Sequence, residues 1–93
     1  MEFKTISRED LPRLLENPKA TILDIRETWE FMDFNIGGIN IPPHEIPDRT
    51  DEIADYEQII LACSNGFRSG IVARMLTKKL PNSEILHLEE GIF

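Results

Sequence analysis

The chain has 93 residues, 10 of them lysine or arginine and 17 aspartate or glutamate, for a formal net charge of −7. That length predicts one small domain over residues 1–93, with about 5,500 Å² of folded surface and a thin core. The acidic balance excludes a nucleic-acid binder, whose phosphate contacts need a basic surface, and argues against an anionic membrane surface; a single cysteine, Cys63, excludes an internal disulfide.

The first element is a strand over residues 3–6. Ser7 is placed to cap a helix, with Glu9 and Asp10 in its positive first turn. Leu11, Leu14 and Leu15 recur at helical spacing, Pro12 fits only in the first turn, and Asn17-Pro18 ends the pattern. Residues 21–25 read as a buried strand. Thr28 is then expected to cap a short helix carrying Trp29, Phe31, Met32 and Phe34, broken by Gly37-Gly38, with Trp29, Phe31 and Phe34 in the core. A short strand over residues 39–41 closes at Pro42-Pro43. Residues 44–56 are acidic, hold few large apolar side chains, and read as helical turns on the surface.

Residues 58–62 are nearly continuously apolar, the pattern of a central strand covered on both faces. Helical periodicity returns over residues 69–80, with Ile71, Val72, Met75, Leu76 and Leu80 on one face and Arg74 and Lys78 on the other. A turn at residues 81–83 leads to a last strand at 85–88. Strands alternating with helices imply an α/β fold with a mostly parallel sheet and helices on both faces. Ligands of such sheets bind beyond the carboxyl ends of the strands. The longest apolar run, residues 59–63, is too short to cross a membrane. No signal-peptide pattern opens the chain, and a cytoplasmic location is expected.

The chemistry concentrates where the central strand ends. Cys63 is followed by Ser64, Asn65, Gly66, Phe67, Arg68 and Ser69, and then by the long helix. A helix start aims unpaired N–H groups and positive partial charge at the loop, which favours a thiolate, the nucleophilic form of cysteine. Gly66 permits a backbone turn that gathers N–H groups into an anion nest. Arg68 sits where a cation is locally disfavoured, so a task such as anion binding is expected of it. Ser69 is placed to cap the helix or donate into the loop. Between Gln58 and Ser83 the charged residues are Arg68, Arg74, Lys78 and Lys79, a +4 segment; the other 6 basic and 17 acidic residues make the remainder −11.

At these residues the chain resembles the rhodanese homology domain. Cys63 to Ser69 matches that family's Cys-x-x-Gly-x-Arg-Ser/Thr loop. Asp24-Ile25-Arg26-Glu27 with Glu30-Phe31, then residues 35–42 ending Asn40-Ile41-Pro42, then Leu88 to Ile92, resemble three further family segments in the expected order. The resemblance implies a parallel sheet of about five strands. It also implies a sulfurtransferase in which Cys63 takes a sulfane sulfur as a persulfide and passes it to a thiophilic acceptor, cradled by the backbone of residues 64–69.

Four residues separate Cys63 from Arg68, where the related phosphatases have five, so the loop fits sulfur rather than a tetrahedral oxyanion. Position 64 is serine where many thiosulfate users are basic, which points to a neutral or protein-borne persulfide as donor. Asn35 replaces a common histidine, Glu90 a common glycine, and the chain ends at Phe93 without the usual short helix. Asp24, Arg26 and Glu30 are expected to support the loop. The expected partners are a small sulfur donor, a thiol or cyanide acceptor, and a protein sulfur donor or acceptor. A partner-docking carrier module with little turnover is the alternative. One cysteine and two isolated histidines, His44 and His87, give no metal site, and no cofactor is expected.

Overall fold

The computed structural model describes residues 3–64 and 67–93. Its strands are β1 (Lys4–Ile6), β2 (Ala20–Asp24), β3 (Ile39–Asn40), β4 (Gln58–Ala62) and β5 (Glu84–Leu88). They form one sheet in the order β1-β5-β4-β2-β3, with every pairing parallel. Its accessible surface, 5466 Å², agrees with the value expected from length. The α/β class and the five-stranded parallel sheet are those expected from the sequence.

Continuous apolarity places β4 at the centre. Its odd and even positions point to opposite faces, and both faces are covered. Ile59 and Leu61 join Leu23, Ile25 and Ile85 beneath Val72, Ala73 and Leu76 of α4 (Phe67–Lys79), with Ile46 and Ile53 closing that layer. Ile60 and Ala62 join Ile22, Leu86 and Leu88 on the other face, under Leu11 and Leu14 of α1 (Leu11–Leu14) and Ile92. Pro12 occupies the first turn of α1, where a missing N–H costs nothing. Ser7 precedes a single 3₁₀ turn, and its N–H donates to Asp10 Oδ2 at 3.0 Å. Residues 44–56 are short turns around α3 (Ile46–Arg49), pinned by the fully buried Ile46 and Ile53.

Three expectations are corrected. The short helix α2 (Thr28–Asp33) is capped by Glu27, not Thr28: the Glu27 N–H donates to Glu30 Oε1 at 2.9 Å. Its apolar residues do not enter the core. Trp29 is 72% exposed and Met32 79%, Phe34 is exposed and Phe31 half-buried. The long helix starts two residues earlier than its periodicity predicts, and Ile71 faces solvent. The face it lays on the sheet is Ser69, Val72, Ala73, Leu76 and Thr77, where small side chains let helix and sheet approach closely.

Gly37 and Gly38 both have positive φ. At Gly38 a Cβ would overlap the Ile22 carbonyl oxygen. Only glycine lets this turn pass so close to β2 and deliver β3 to its edge.

Candidate functional site

All five parallel strands point their carboxyl ends the same way, and the segments that resembled family motifs meet there. Cys63 follows the last residue of β4 and is buried. Its carbonyl accepts from the Ile92 N–H at 2.8 Å, and the carbonyl of Ala62 accepts from the Ile25 N–H at 3.0 Å. The cysteine backbone is thus held from both neighbouring strands' extensions.

Its sulfur is held by the helix. The Ser69 N–H donates to Cys63 Sγ at 3.3 Å, and the thiol lies 3.5 Å from Ser69 Oγ as a donor. Ser69 is the third residue of α4, so this N–H is one of the first-turn donors that have no partner within the helix. Ser69 is therefore not the cap that its position in sequence suggested. It is the residue that turns a helix terminus onto the sulfur, and it is fully buried. Asn65 and Gly66, and with them the expected nest, lie outside the described residues. Phe67 opens α4.

Arg68 is tied down rather than free. Its Nη1 and Nη2 donate to Glu30 Oε1 and Oε2 at 3.3 and 3.4 Å, and Nη2 also donates to Ser64 Oγ at 3.2 Å. This pairing explains how a cation is tolerated at a helix N-terminus: a carboxylate from α2 offsets the unfavourable dipole. Burial pushes the Glu30 carboxyl up, but the Glu27 N–H and the Arg68 guanidinium outweigh it and hold the group below the usual glutamate range.

Beneath α2 lies a buried ion pair. Arg26 Nη2 donates to Asp24 Oδ2 at 2.8 Å, and Nε to Oδ1 at 3.1 Å; the two side chains are 1% and 0% exposed. Asp24 Oδ1 also accepts the Arg26 N–H at 3.0 Å. The remaining reach of Arg26 Nη2 goes to the Phe34 carbonyl, which ends α2. Asp24 holds the Arg26 guanidinium above its usual range against the opposing effect of burial, with Glu30 adding to it.

Asn40, which sequence reasoning quoted only as part of a motif, donates Nδ2 to the carbonyls of Asp24 and Arg26 at 3.0 and 2.9 Å. Its Asn-Ile-Pro setting was the available signal. Asn35, by contrast, serves its own turn: Nδ2 donates to the Phe31 carbonyl and Oδ1 accepts from the Gly37 N–H.

Asp24, Arg26, Glu30, Ser64, Arg68 and Ser69 are thereby brought around Cys63. The C-terminal residues complete the rim. Phe93 stacks on Phe34 with ring centroids 5.6 Å apart and lies 5.6 Å from the Arg26 guanidinium carbon. Two clefts lie away from this site. One of about 370 Å³ is lined by Thr77, Pro81, Asn82 and Glu84 at the amino ends of the strands, and the chemistry described above is not in it. Among the described residues, no cluster of histidine, cysteine and carboxylates has metal-ligating spacing, and no helix is long and apolar enough to cross a membrane.

A doubly covered parallel sheet with a cysteine at the tip of its middle strand, opposite a helix start, is the arrangement of the rhodanese-like domain. The model of that family matches residues 7–93, and the chain belongs to it. Among curated relatives, the uncharacterized protein YqhL of Bacillus subtilis is 38% identical over 74 residues, covering 78% of this chain and 58% of that one. YrkF of the same organism, named as a candidate sulfur carrier protein, is 36% identical over 76 residues, covering 80% and 41%. This chain spans about half the length of these relatives. Among solved structures, a rhodanese-related protein from Thermoplasma volcanium superposes with a TM-score of 0.80 at 25% identity, over 96% of this chain and 86% of that one.

Proposed function

We propose that this domain is a sulfurtransferase that carries sulfane sulfur as a persulfide on Cys63. The observation that supports it most is the Ser69 N–H held 3.3 Å from Cys63 Sγ at the start of α4. A donor fixed there before reaction favours negative charge on sulfur in both halves of the cycle.

In the first half the Cys63 thiolate attacks the outer sulfur of a donor. A new S–S bond forms, the donor's own S–S bond breaks, and its electron pair leaves with sulfite or a thiolate. In the second half an acceptor, cyanide or a thiolate, attacks the outer sulfur of the persulfide and returns Cys63 as thiolate. Each half moves one sulfur atom and one electron pair, so no further reductant is needed.

Ser64, Asn65, Gly66, Phe67 and Arg68 line the cradle in this reading. Asp24, Arg26 and Glu30 position it. Because Arg68 is already matched by Glu30, a singly charged persulfide suits the cradle better than the dianion thiosulfate. A lone cysteine that must remain a thiol between turnovers fits a reducing cytoplasm. The name of YrkF, a relative, supports a protein as one of the sulfur partners.

The test is sulfur transfer to cyanide from glutathione persulfide and from thiosulfate, with intact mass of the protein after each donor. Wild type should gain one sulfur atom and turn over faster with glutathione persulfide, and Cys63→Ser should do neither. Unchanged transfer in Cys63→Ser overturns the mechanism. A wild-type protein that accepts no sulfur from either donor is the docking module instead.

A further inference from the structure

We propose that α2 is a docking face for the protein that exchanges sulfur with Cys63, and that the partner surface it fits is apolar and basic. The proposal rests on the sulfur-transfer reading and names the partner class of that site.

The face is unusual for so short an element. Six residues of helix span about 9 Å, yet Trp29 and Met32, one turn apart, are 72% and 79% exposed, and Phe34 at its end is exposed against an exposed Phe93. Scattered exposed apolar residues are ordinary, but tryptophan and methionine grouped on one element are the composition of interface cores. A small donor reaching a buried cysteine has no use for them.

Charge selects the occupant. The positive groups beside α2 are already matched, Arg26 by Asp24 and Arg68 by Glu30. Among the described residues, the charges on the face without an ion-pair partner are negative: Asp33 is exposed, and Glu27 is half-buried at the cap. A partner with basic residues around an apolar patch meets complementary charge here, and an acidic partner meets repulsion.

Position joins the face to the chemistry. Glu30 sits on the same helix and grips Arg68 in the cysteine loop, and the Phe34 carbonyl is bound by Arg26. A partner seated on Trp29 and Met32 therefore stands at the mouth of the sulfur site.

Trp29 is the sole tryptophan, so its emission reports docking directly. The probes are two synthetic peptides of the same length, one alternating arginine and leucine, the other with glutamate for arginine, each ending in serine so that no sulfur moves. The first should shift Trp29 emission to the blue in a saturable way, and the second should not. Met32→Ser with Asp33→Lys leaves both the reporter and the described sulfur site in place. It should weaken binding of the basic peptide about tenfold, as loss of an interface anchor does, while loading from glutathione persulfide stays unchanged.

Cys63→Ser should bind the basic peptide like wild type, so failed sulfur chemistry leaves the docking result readable. The proposal is overturned by equal response to both peptides, by no saturable shift, or by an unaltered double variant. Sedimentation showing a dimer that Met32→Ser dissociates also overturns it, because a second copy then covers the face.

Discussion

Replacing Asp24 by alanine is the sharpest test of how the site is supported. Both members of the Asp24–Arg26 pair are out of solvent, so the substitution leaves a guanidinium buried without its carboxylate. Orphaning one member of such a pair costs about 3–5 kcal/mol. A domain of this length has roughly 5–14 kcal/mol in total, so the loss is a large fraction of what holds it together. With unfolding entropy of about 2.1 cal/mol/K per residue, or roughly 0.2 kcal/mol/K for the chain, Tm should fall by about 15–25 °C. Thermal melts followed by far-ultraviolet circular dichroism measure this directly. The control is Asp24→Leu with Arg26→Met, which removes both charges and should recover most of the loss, since an apolar pair of similar volume has no desolvation to offset. A fall below about 5 °C in Asp24→Ala, or a double variant no better than the single one, would refute the assignment of Asp24 as the counter-charge that makes a buried Arg26 tolerable.

Three further outcomes are expected. Gly38→Ala should destabilise by more than about 2 kcal/mol, because a left-handed conformation and a backbone overlap with Ile22 add, whereas Gly37→Ala meets open space and should cost only about 1 kcal/mol; urea titration of the two variants separates them. The depressed Glu30 carboxyl contributes stability that is fully present above the ordinary glutamate value of 4.5 and is lost as pH falls through its lower folded value; urea midpoints from pH 6 downward should therefore decline more steeply in wild type than in Glu30→Gln, and parallel curves would contradict the pairing with Arg68. Ser69→Ala removes Oγ from the sulfur but keeps the N–H, so sulfur transfer should fall less than about tenfold, against near-complete loss in Cys63→Ser.

The sheet was legible because strands buried on both faces are written as unbroken apolar runs, as at Gln58–Ala62. The cysteine loop stood out in the sequence because its residues are contiguous. The aromatic residues of α2 were not. At 100° per residue, Trp29, Phe31, Met32 and Phe34 spread around the whole circumference of a helix under two turns long, so no face is selected and apolar character alone suggested the core. In α4 the opposite occurred: the buried stripe is filled by Ser69, Ala73 and Thr77, and these weakly hydrophobic residues were outvoted by Ile71 on the solvent side. The Glu30–Arg68 pair joins residues 38 apart, a link that only the topology creates. Asp24 and Arg26 were expected to support the loop, but nothing in their spacing reveals that they pair with each other out of solvent.

The strand order has a consequence for how the protein is made. Among the described residues β1 has β5 as its one strand neighbour, with Lys4 beside Leu86. β1 is therefore made well before the strand it pairs with, and the sheet cannot be finished until β5 has left the ribosome. The same late segment brings the Ile92 N–H to the Cys63 carbonyl. Both the last strand pairing and this hold on the cysteine backbone therefore wait on residues 84–92.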